Sequence, residues 1–382
     1  MKIGIFTDTY LPQVNGVAYT IELWKKGLEK RGHDVFVYYP DSGDYYPNEG
    51  DVPLTSIPFA MYKGYNIGLP QKRKIEKDLD VIHVQTPAVV GLFGISYARQ
   101  KDIPAIMTFH TPPELYFKDI MPISNDWVND SLEVAYFKYE KKLLSRFDLV
   151  TAPSEVIIDM LKDRAGTRMP SSISFSNGID TEFFKEDGAK SFKKKYNLSS
   201  GKLIGFAGRH SEGKHVEDLI GIADDFDGTI LISGEGPSTK RYKALGKGKK
   251  NIQFLGFLPR NDLRGFYSAI DILIMPSTCE TEGLVVLEAN ACNTPCVGVD
   301  VLALKNTIKG GRNGYHYAPG DKKDLLASIE KCYCNLEGLK ESSRKFAEER
   351  SFDATILKLE DAYKTAIKEH KYRSKHEGLR IF

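Results

Sequence analysis

Strand-length runs of apolar residues alternate with longer amphipathic segments almost from end to end of this chain. The first run is KIGIFTD, from Lys2, followed by a helical pattern from Val17 to Arg31 that stops at Gly32. HDVFVYYP, DVIHVQT, IPAIMTFH and DLVTAPS follow, with helical patterns at Ala88–Gln100, Leu132–Arg146 and Ser154–Arg164. A strand that is apolar on both faces must be covered on both faces. Such strands separated by helices therefore indicate a parallel sheet between two helical layers.

The alternation pauses at Thr181–Ser200 (TEFFKEDGAKSFKKKYNLSS), which is charged and turn-rich. It then restarts with KLIGFAGR, GTILISGEG, NIQFLGF, DILIMPS, PCVGVD and GYHYAP, each followed by a helical stretch. A length of 382 residues exceeds what one core ordinarily serves. The expectation is two doubly wound α/β domains joined within 177–200, with boundaries at 1–178 and 179–350. Residues 351–382 form a C-terminal helix and basic tail that packs back on the first domain, the tail from His370 showing no clear core face. Ligands of such sheets bind outside the carboxyl ends of the strands. Two domains facing each other place one cleft between two sets of strand ends.

Composition narrows the function. Lys and Arg total 53 against 51 Asp and Glu, a balance that argues against a general nucleic-acid binder. No run reaches the roughly 18–20 apolar residues of a membrane span, and the opening MKIGIFTDTYLPQVNGV lacks the apolar core of a leader. Five cysteines, all from Cys279 onward, suit buried thiols in a reducing cytosol better than a disulfide framework or a metal site.

GFAGRHSEGKHVEDLI carries the first chemistry. It passes from a strand through a turn with Gly208 and Gly213 into a helix, with Arg209 and Lys214 flanking the turn. Two cations beside a helix N-terminus suit a diphosphate. The segment nearly matches a phosphate-binding P-loop, but His215 stands where a magnesium-binding Ser or Thr is required. ISGEGPST lacks the third glycine of a dinucleotide fingerprint, and the DxD of Asp225 and Asp227 closes a helical stretch, which gives a metal role little support.

PSTCETEGLVVLEANACNTPCVGVD carries the second. Glu280 follows a strand, and Glu288 comes after seven intervening residues, within a helical pattern. Gly283 stands where that helix begins, so the N–H groups of Gly283, Leu284 and Val285 are free to meet an anion. Glu288 is placed for a ribose diol and Glu280 for sugar hydroxyls. His110 ends an apolar strand, at the rim where a parallel sheet binds ligands. In the loop PQVNG, Gly16 permits close backbone approach to a phosphate, although a tight turn would use the same residues.

Together these segments resemble a retaining glycosyltransferase of family 4. The matching pieces are the Gly16 loop, His110, PSEV (Pro153–Val156), SNGID (Ser176–Asp180), Arg209 with Lys214, SGEGP (Ser233–Pro237) and the Glu280–Glu288 pair, in family order. The N-terminal half (FTDTYLPQVNGVAYTI, SIPF, HVQTPAVVGLFGI, FHTPPELY) is most similar to the branch that glucosylates diacylglycerol.

The resemblance implies a GT-B fold of two doubly wound Rossmann-like domains facing a central cleft, the first binding acceptor and the second nucleotide-sugar. Arg209 and Lys214 would neutralise the donor diphosphate, Glu288 would hold the ribose, Glu280 the transferred sugar, and His110 would contact the sugar near the reacting centre. Gly16, Gly283, Leu284 and Val285 would complete donor binding. The implied donor is UDP-glucose, no metal or other cofactor is required, and the acceptor is a lipid hydroxyl such as that of diacylglycerol. A soluble sugar or polyol-phosphate acceptor, a sugar-nucleotide epimerase and a non-catalytic binding protein are the alternatives. The implied location is cytoplasmic, peripheral at the inner face of the membrane.

FKYEKKLLSRF (Phe137–Phe147) mixes cations with apolar residues, as either an interfacial helix or a plain surface helix would. Aromatic residues around Tyr62–Leu69 would help admit an acyl chain. Five positions depart from the family pattern: Glu282 replaces Phe, Asn293 replaces Gly, and Leu302-Ala303 with Asn306 replace Gly-Gly and Glu. Glu282 thereby adds a third acid by the sugar pocket.

Overall fold

The structure, a computed structural model, describes residues 1–13, 15–59, 65–110, 126–198 and 201–377, excepting the side chains of 126–133 and 377. It divides into two compact units, Met1–Asn177 with Asp353–Phe382, and Gly178–Phe352.

The first unit is built on a seven-stranded sheet. Its strands are β1 (Lys2–Phe6), β2 (Asp34–Pro40), β3 (Asp51–Leu54), β6 (Val81–Val84), β7 (Ala105–Thr108), β8 (Leu149–Ala152) and β9 (Ser171–Ser174). A small antiparallel pair, β4 (Ser56–Pro58) and β5 (Asn66–Gly68), lies outside it. The sheet order is β3-β2-β1-β6-β7-β8-β9, and every pair is parallel. The central strands are apolar on both faces because helices cover both: β6, β7 and β8 are buried at every residue. The edge strand β9 (SSIS) alternates exposed and half-buried positions, so it carries no apolar run. Helices α1 (Gly16–Lys30), α2 (Val89–Lys101), α3 (Asp126–Leu144) and α4 (Glu155–Ala165) fill the connections. Asn15 caps α1, its side chain accepting the Ala18 N–H at 2.9 Å.

In the second unit the sheet order is β12-β11-β10-β13-β14-β15, again all parallel. Its strands are β10 (Leu203–Ala207), β11 (Thr229–Ser233), β12 (Ile252–Gly256), β13 (Ile272–Met275), β14 (Cys296–Val299) and β15 (Gly314–Tyr317). The helices are α5 (Ala189–Lys195), α6 (Val216–Gly221), α7 (Thr239–Leu245), α8 (Arg260–Ala269), α9 (Leu284–Ala291), α10 (Leu304–Thr307), α11 (Lys322–Cys334) and α12 (Leu336–Glu348). The charged pause at Thr181–Ser200 belongs to this second unit. It forms α5 and buries Phe184 and Phe192 in the core of this unit, because two aromatics outweigh the surrounding lysines.

α13 (Phe352–Glu377) returns to the first unit. Glu360 takes a bidentate pair from Arg31 at 2.7 and 2.9 Å and a third bond from His33, and the Arg31 bond pulls its carboxyl down to about 2. Tyr363 hydrogen-bonds His83 at 2.9 Å, and Arg373 donates to the Phe147 carbonyl at 2.6 Å. Beyond His370 the tail shows no core face, residues 371–376 being exposed apart from the half-buried Arg373. His370 is buried against Asp148, with 3.2 Å between Nδ1 and Oδ2. Residues 378–382 lie outside the described part.

Candidate active site

Both sheets follow the doubly wound order in which the first strand lies between chain-forward and chain-backward halves. Each therefore has a topological switch point, at β1/β6 in the first unit and at β10/β13 in the second, and ligands of such sheets bind there. The sequence-predicted residues lie in the loops after β1, β7, β10 and β13 and along α1 and α9.

In the second unit, the loops after β10 and β13 meet. The Thr278 N–H donates to the Gly213 carbonyl at 3.0 Å, and His215 Nε2 lies 3.0 Å from Thr278 Oγ1. Lys214 forms a hydrogen-bonded ion pair with Glu280, and both side chains are largely buried. Arg209 is exposed on the same turn. The turn does not open directly into a long helix. Glu212–Lys214 form a single 3₁₀ turn, His215 takes a left-handed conformation at φ 44°, and only then does the six-residue α6 begin. Cationic side chains, rather than a helix dipole, give this turn its charge.

SGEGP acts as a buttress for that turn. A Cβ on Gly234 would lie 1.8 Å from the Gly208 carbonyl oxygen, so only glycine allows the loop after β11 to press so closely. His210 N–H then donates to the Glu235 carbonyl at 3.1 Å.

Gly283 adopts φ 84° and caps α9. The first bonds of the helix run from Val286 and Leu287 to the Gly283 carbonyl, which makes the amides of Gly283, Leu284 and Val285 the orphan donors of that helix. Glu288 follows one turn on. It accepts from Tyr267 Oη at 2.7 Å, and burial pushes its carboxyl up to about 7 against the opposing pull of that bond and of Arg260. Tyr267 carries no motif signal in the sequence; it comes from α8, 21 residues before the glutamate.

Glu282 is almost fully buried, and its carbonyl accepts from Thr307 Oγ1. Asn293 and Leu302 both hold positive φ, 62° and 44°. These are the positions where the family pattern has glycine, so the backbone keeps the glycine conformation without the residue. Asp225 and Asp227 precede β11 at its amino end, away from the carboxyl edge, and are exposed. All five cysteines are unbridged, and among the described residues no group of three His, Cys, Asp or Glu side chains is placed to hold a metal ion.

In the first unit, His110 stands two residues beyond β7, buried, with its Nε2 2.6 Å from Gln85 Oε1. Burial lowers its imidazole to about 4, so the ring is neutral near pH 7. Gln85 follows β6 directly, and it was not legible in the sequence. Asp8, after β1, accepts from the amides of Val90 and Gly91 at 2.7 and 3.2 Å. The chain's own carboxylate thus occupies the N-terminus of α2. Gly16 is the exposed first residue of α1, beside the Thr9–Gln13–Asn15 side-chain network. Residues 111–125, which complete the TFHTPPE loop, and Tyr62 lie outside the described residues.

On α3, Leu143 and Leu144, with Phe147 just beyond, are core residues. The apolar half of the sequence-predicted interfacial pattern therefore faces inward, whereas Val134 and Tyr139 are exposed, as are Lys138 and Lys142.

Comparison with known proteins gives the family and the fold. The family model "Glycosyltransferase Family 4" matches residues 14–183, and "Glycosyl transferases group 1" matches residues 189–350. An alpha-monoglucosyldiacylglycerol synthase of Streptococcus pneumoniae is 31% identical over 86% of this chain and 77% of its own. A GDP-mannose-dependent alpha-mannosyltransferase of Corynebacterium glutamicum is 26% identical over 90% of this chain and 86% of its own. Among solved structures, Anabaena Alr3699/HepE in complex with UDP superposes with a TM-score of 0.70 at 17% identity, covering 95% of this chain and 100% of that one. The two Rossmann-like sheets, each with its switch point, are those of the GT-B fold, and this chain belongs to glycosyltransferase family 4, as an enzyme that transfers hexosyl groups.

Proposed function

We propose that the enzyme moves a glucosyl group from UDP-glucose to the free hydroxyl of diacylglycerol, with retention at the anomeric carbon. One observation carries the donor half of this reading. Lys214 and Glu280, from the loops after β10 and β13, meet at the switch point of the second unit, where the turn also presents Arg209.

In this reading Lys214 and Arg209 neutralise the donor diphosphate as negative charge builds on the departing oxygen. Charge stabilisation of this kind is worth on the order of 3–4 kcal/mol per group. Lys214 exchanges part of its pairing with Glu280 for phosphate oxygens, and Glu280 turns to the sugar hydroxyls. Glu288 accepts from the ribose diol, and the amides of Gly283, Leu284 and Val285 donate to phosphate. Gly16 and His110 also serve the donor, His110 as a neutral hydrogen-bond acceptor for a sugar hydroxyl. The C1–O bond to the diphosphate breaks, the acceptor oxygen bonds C1 on the same face, and its proton passes to the departing diphosphate oxygen.

The pneumococcal relative supports the lipid acceptor and the glucosyl group, and the C. glutamicum relative supports a mannosyl donor as the second reading. No described helix is long and apolar enough to cross a membrane, so access to a lipid is peripheral in this reading. The exposed Val134, Tyr139, Lys138 and Lys142 of α3 suit such a surface. The test is a screen of radiolabelled UDP-glucose and GDP-mannose against a total lipid extract, read by chromatography. A labelled glycolipid from UDP-glucose is the expected product. Label appearing only in water-soluble products, with no sedimentation on anionic vesicles at physiological salt, would replace the lipid by a soluble acceptor.

A further inference from the structure

Arg260 opens α8 at the carboxyl edge of the second sheet, just beyond β12, and Tyr267 follows on the same helix. They are two helical turns apart, so both side chains leave one face. That face meets α9, where Tyr267 Oη donates to Glu288 at 2.7 Å. The Arg260 guanidinium lies 4.1 Å from the Phe183 ring centroid and 5.4 Å from that of Phe184. Phe184 in turn packs on Tyr267, with ring centroids 6.0 Å apart. An aromatic shelf therefore holds the cation beside the Tyr267–Glu288 pair. Asp180 shares that cation, its Oδ2 lying 3.3 Å from Arg260 Nη2.

The other charged groups described around α9 are engaged elsewhere. Arg264 of α8 pairs with Asp187 at 3.2 Å, and Glu186 accepts from Asn293 at 2.8 Å. Arg344 of α12 donates to the carbonyls of Thr181, Phe184 and Ala291, and Glu282, ahead of α9, acts on Arg350. The thiols of Cys292 and Cys296 are neutral, because burial pushes both up. Burial disfavours the charge on Glu288, and Arg260 is the cation that opposes it. One guanidinium thus serves two carboxylates.

We propose that Arg260 is a positioning residue for the nucleotide: held on the Phe183 ring, it supplies the positive charge that Glu288 faces, and Asp180, by sharing the guanidinium, sets how much of that charge reaches the ribose-binding carboxylate. This rests on the reading in which Glu288 accepts from the ribose diol. A merely structural arginine would anchor α8 to the Asp180 loop and leave the glutamate indifferent to either partner.

Three substitutions separate the roles. Arg260→Met keeps an unbranched stem on Phe183 and loses the charge, whereas Arg260→Lys keeps the charge. Asp180→Asn removes the competing carboxylate but keeps the Oδ1 that accepts the Phe183 N–H. The readout is a ¹³C titration of the full-length protein without nucleotide, labelled at the glutamate carboxyls, with Glu288 assigned through Glu288→Gln. The wild-type midpoint is expected at about 7. Arg260→Met should raise it by about one pH unit, Arg260→Lys should hold it, and Asp180→Asn should lower it by roughly half a unit. Opposite shifts from the two partners are what a structural defect cannot produce. An unmoved midpoint in Arg260→Met, or one that fails to fall in Asp180→Asn, overturns the proposal.

Calorimetric titration with UDP supplies the second arm. Arg260→Met should bind about threefold more weakly than the wild type at pH 7.5 and equally at pH 10, and Asp180→Asn about twofold more tightly at pH 6.5. Shifted carboxyl midpoints with UDP affinity flat in pH would overturn the ribose assignment and uphold the hold of Arg260 on Glu288. Unshifted midpoints with pH-dependent UDP binding would overturn the proposal and uphold the ribose assignment.

Discussion

Replacing Tyr267 by Phe removes one oxygen and changes little else, yet it should shift the pH at which nucleotide binds. Tyr267 Oη donates to Glu288 at 2.7 Å, and the glutamate already titrates at about 7 because burial disfavours its charge. A hydrogen bond to a charged group is worth about 1.5–3 kcal/mol, which corresponds to roughly 1–2 pH units. Taking the middle of that range, the variant glutamate titrates at ~8.5. At pH 7.5 the ionised fraction then falls from about 0.76 to about 0.09, an affinity loss of about eightfold if the charged form accepts the ribose hydroxyls. Calorimetric titration with UDP between pH 6 and 10 reads this directly. Wild type should weaken below pH 7, the variant below pH 8.5, and the two should converge at pH 10. Affinity that is flat with pH, or equal in both proteins at pH 7.5, would refute the role given to Glu288. The same shift governs stability with the opposite sense to an ordinary carboxylate. The folded glutamate holds its proton more tightly than the unfolded one, so about 3 kcal/mol present below pH 4.5 is lost as pH rises to 7.

Lys214→Ala should lower turnover at least tenfold and should also destabilise the second unit, by about 1–3 kcal/mol and several degrees in Tm, because it leaves the enclosed Glu280 unpaired. The double variant Lys214→Ala/Glu280→Gln should regain Tm but not turnover; recovered turnover would remove Lys214 from the chemistry. Leu302→Gly should raise Tm, since a leucine at φ 44° carries about 1 kcal/mol of strain that glycine does not; a lower Tm would refute that. His83 and His110 are buried neutral, titrating at about 3 and 4. The first unit should therefore lose about 3 kcal/mol for each as pH falls from 6.5 to 4. Denaturant unfolding at those two pH values should show a smaller loss in His83→Gln, and an equal loss would exclude the histidine.

The strands that fill the two cores were legible because burial on both faces leaves an uninterrupted apolar run, as in β7 and β13. The edge strands of the first sheet gave no such signal. β9 is SSIS, and β3 is DVPL with a proline that an edge tolerates. α5 was hidden by its own lysines, since only Phe192 marks its inner face. In the candidate site, spacing singles out Lys214, Glu280, Gly283 and Glu288 because the two loops that hold them each carry a local pattern. It singles out neither Gln85 nor Tyr267. Each acts on a residue 25 or 21 positions away, and only the adjacency of β6 with β7, or of α8 with α9, brings them together. Glu282 illustrates the reverse: its identity was plain, but its burial beside Gly283 was not.

The most direct measurement is a crystal structure of the enzyme soaked with UDP-glucose. Both phosphorus atoms should lie beside Lys214 and Arg209, with at least one phosphate oxygen within about 4 Å of Lys214 Nζ. Diphosphate density elsewhere, with the Lys214–Glu280 pair undisturbed, would contradict the account at its base.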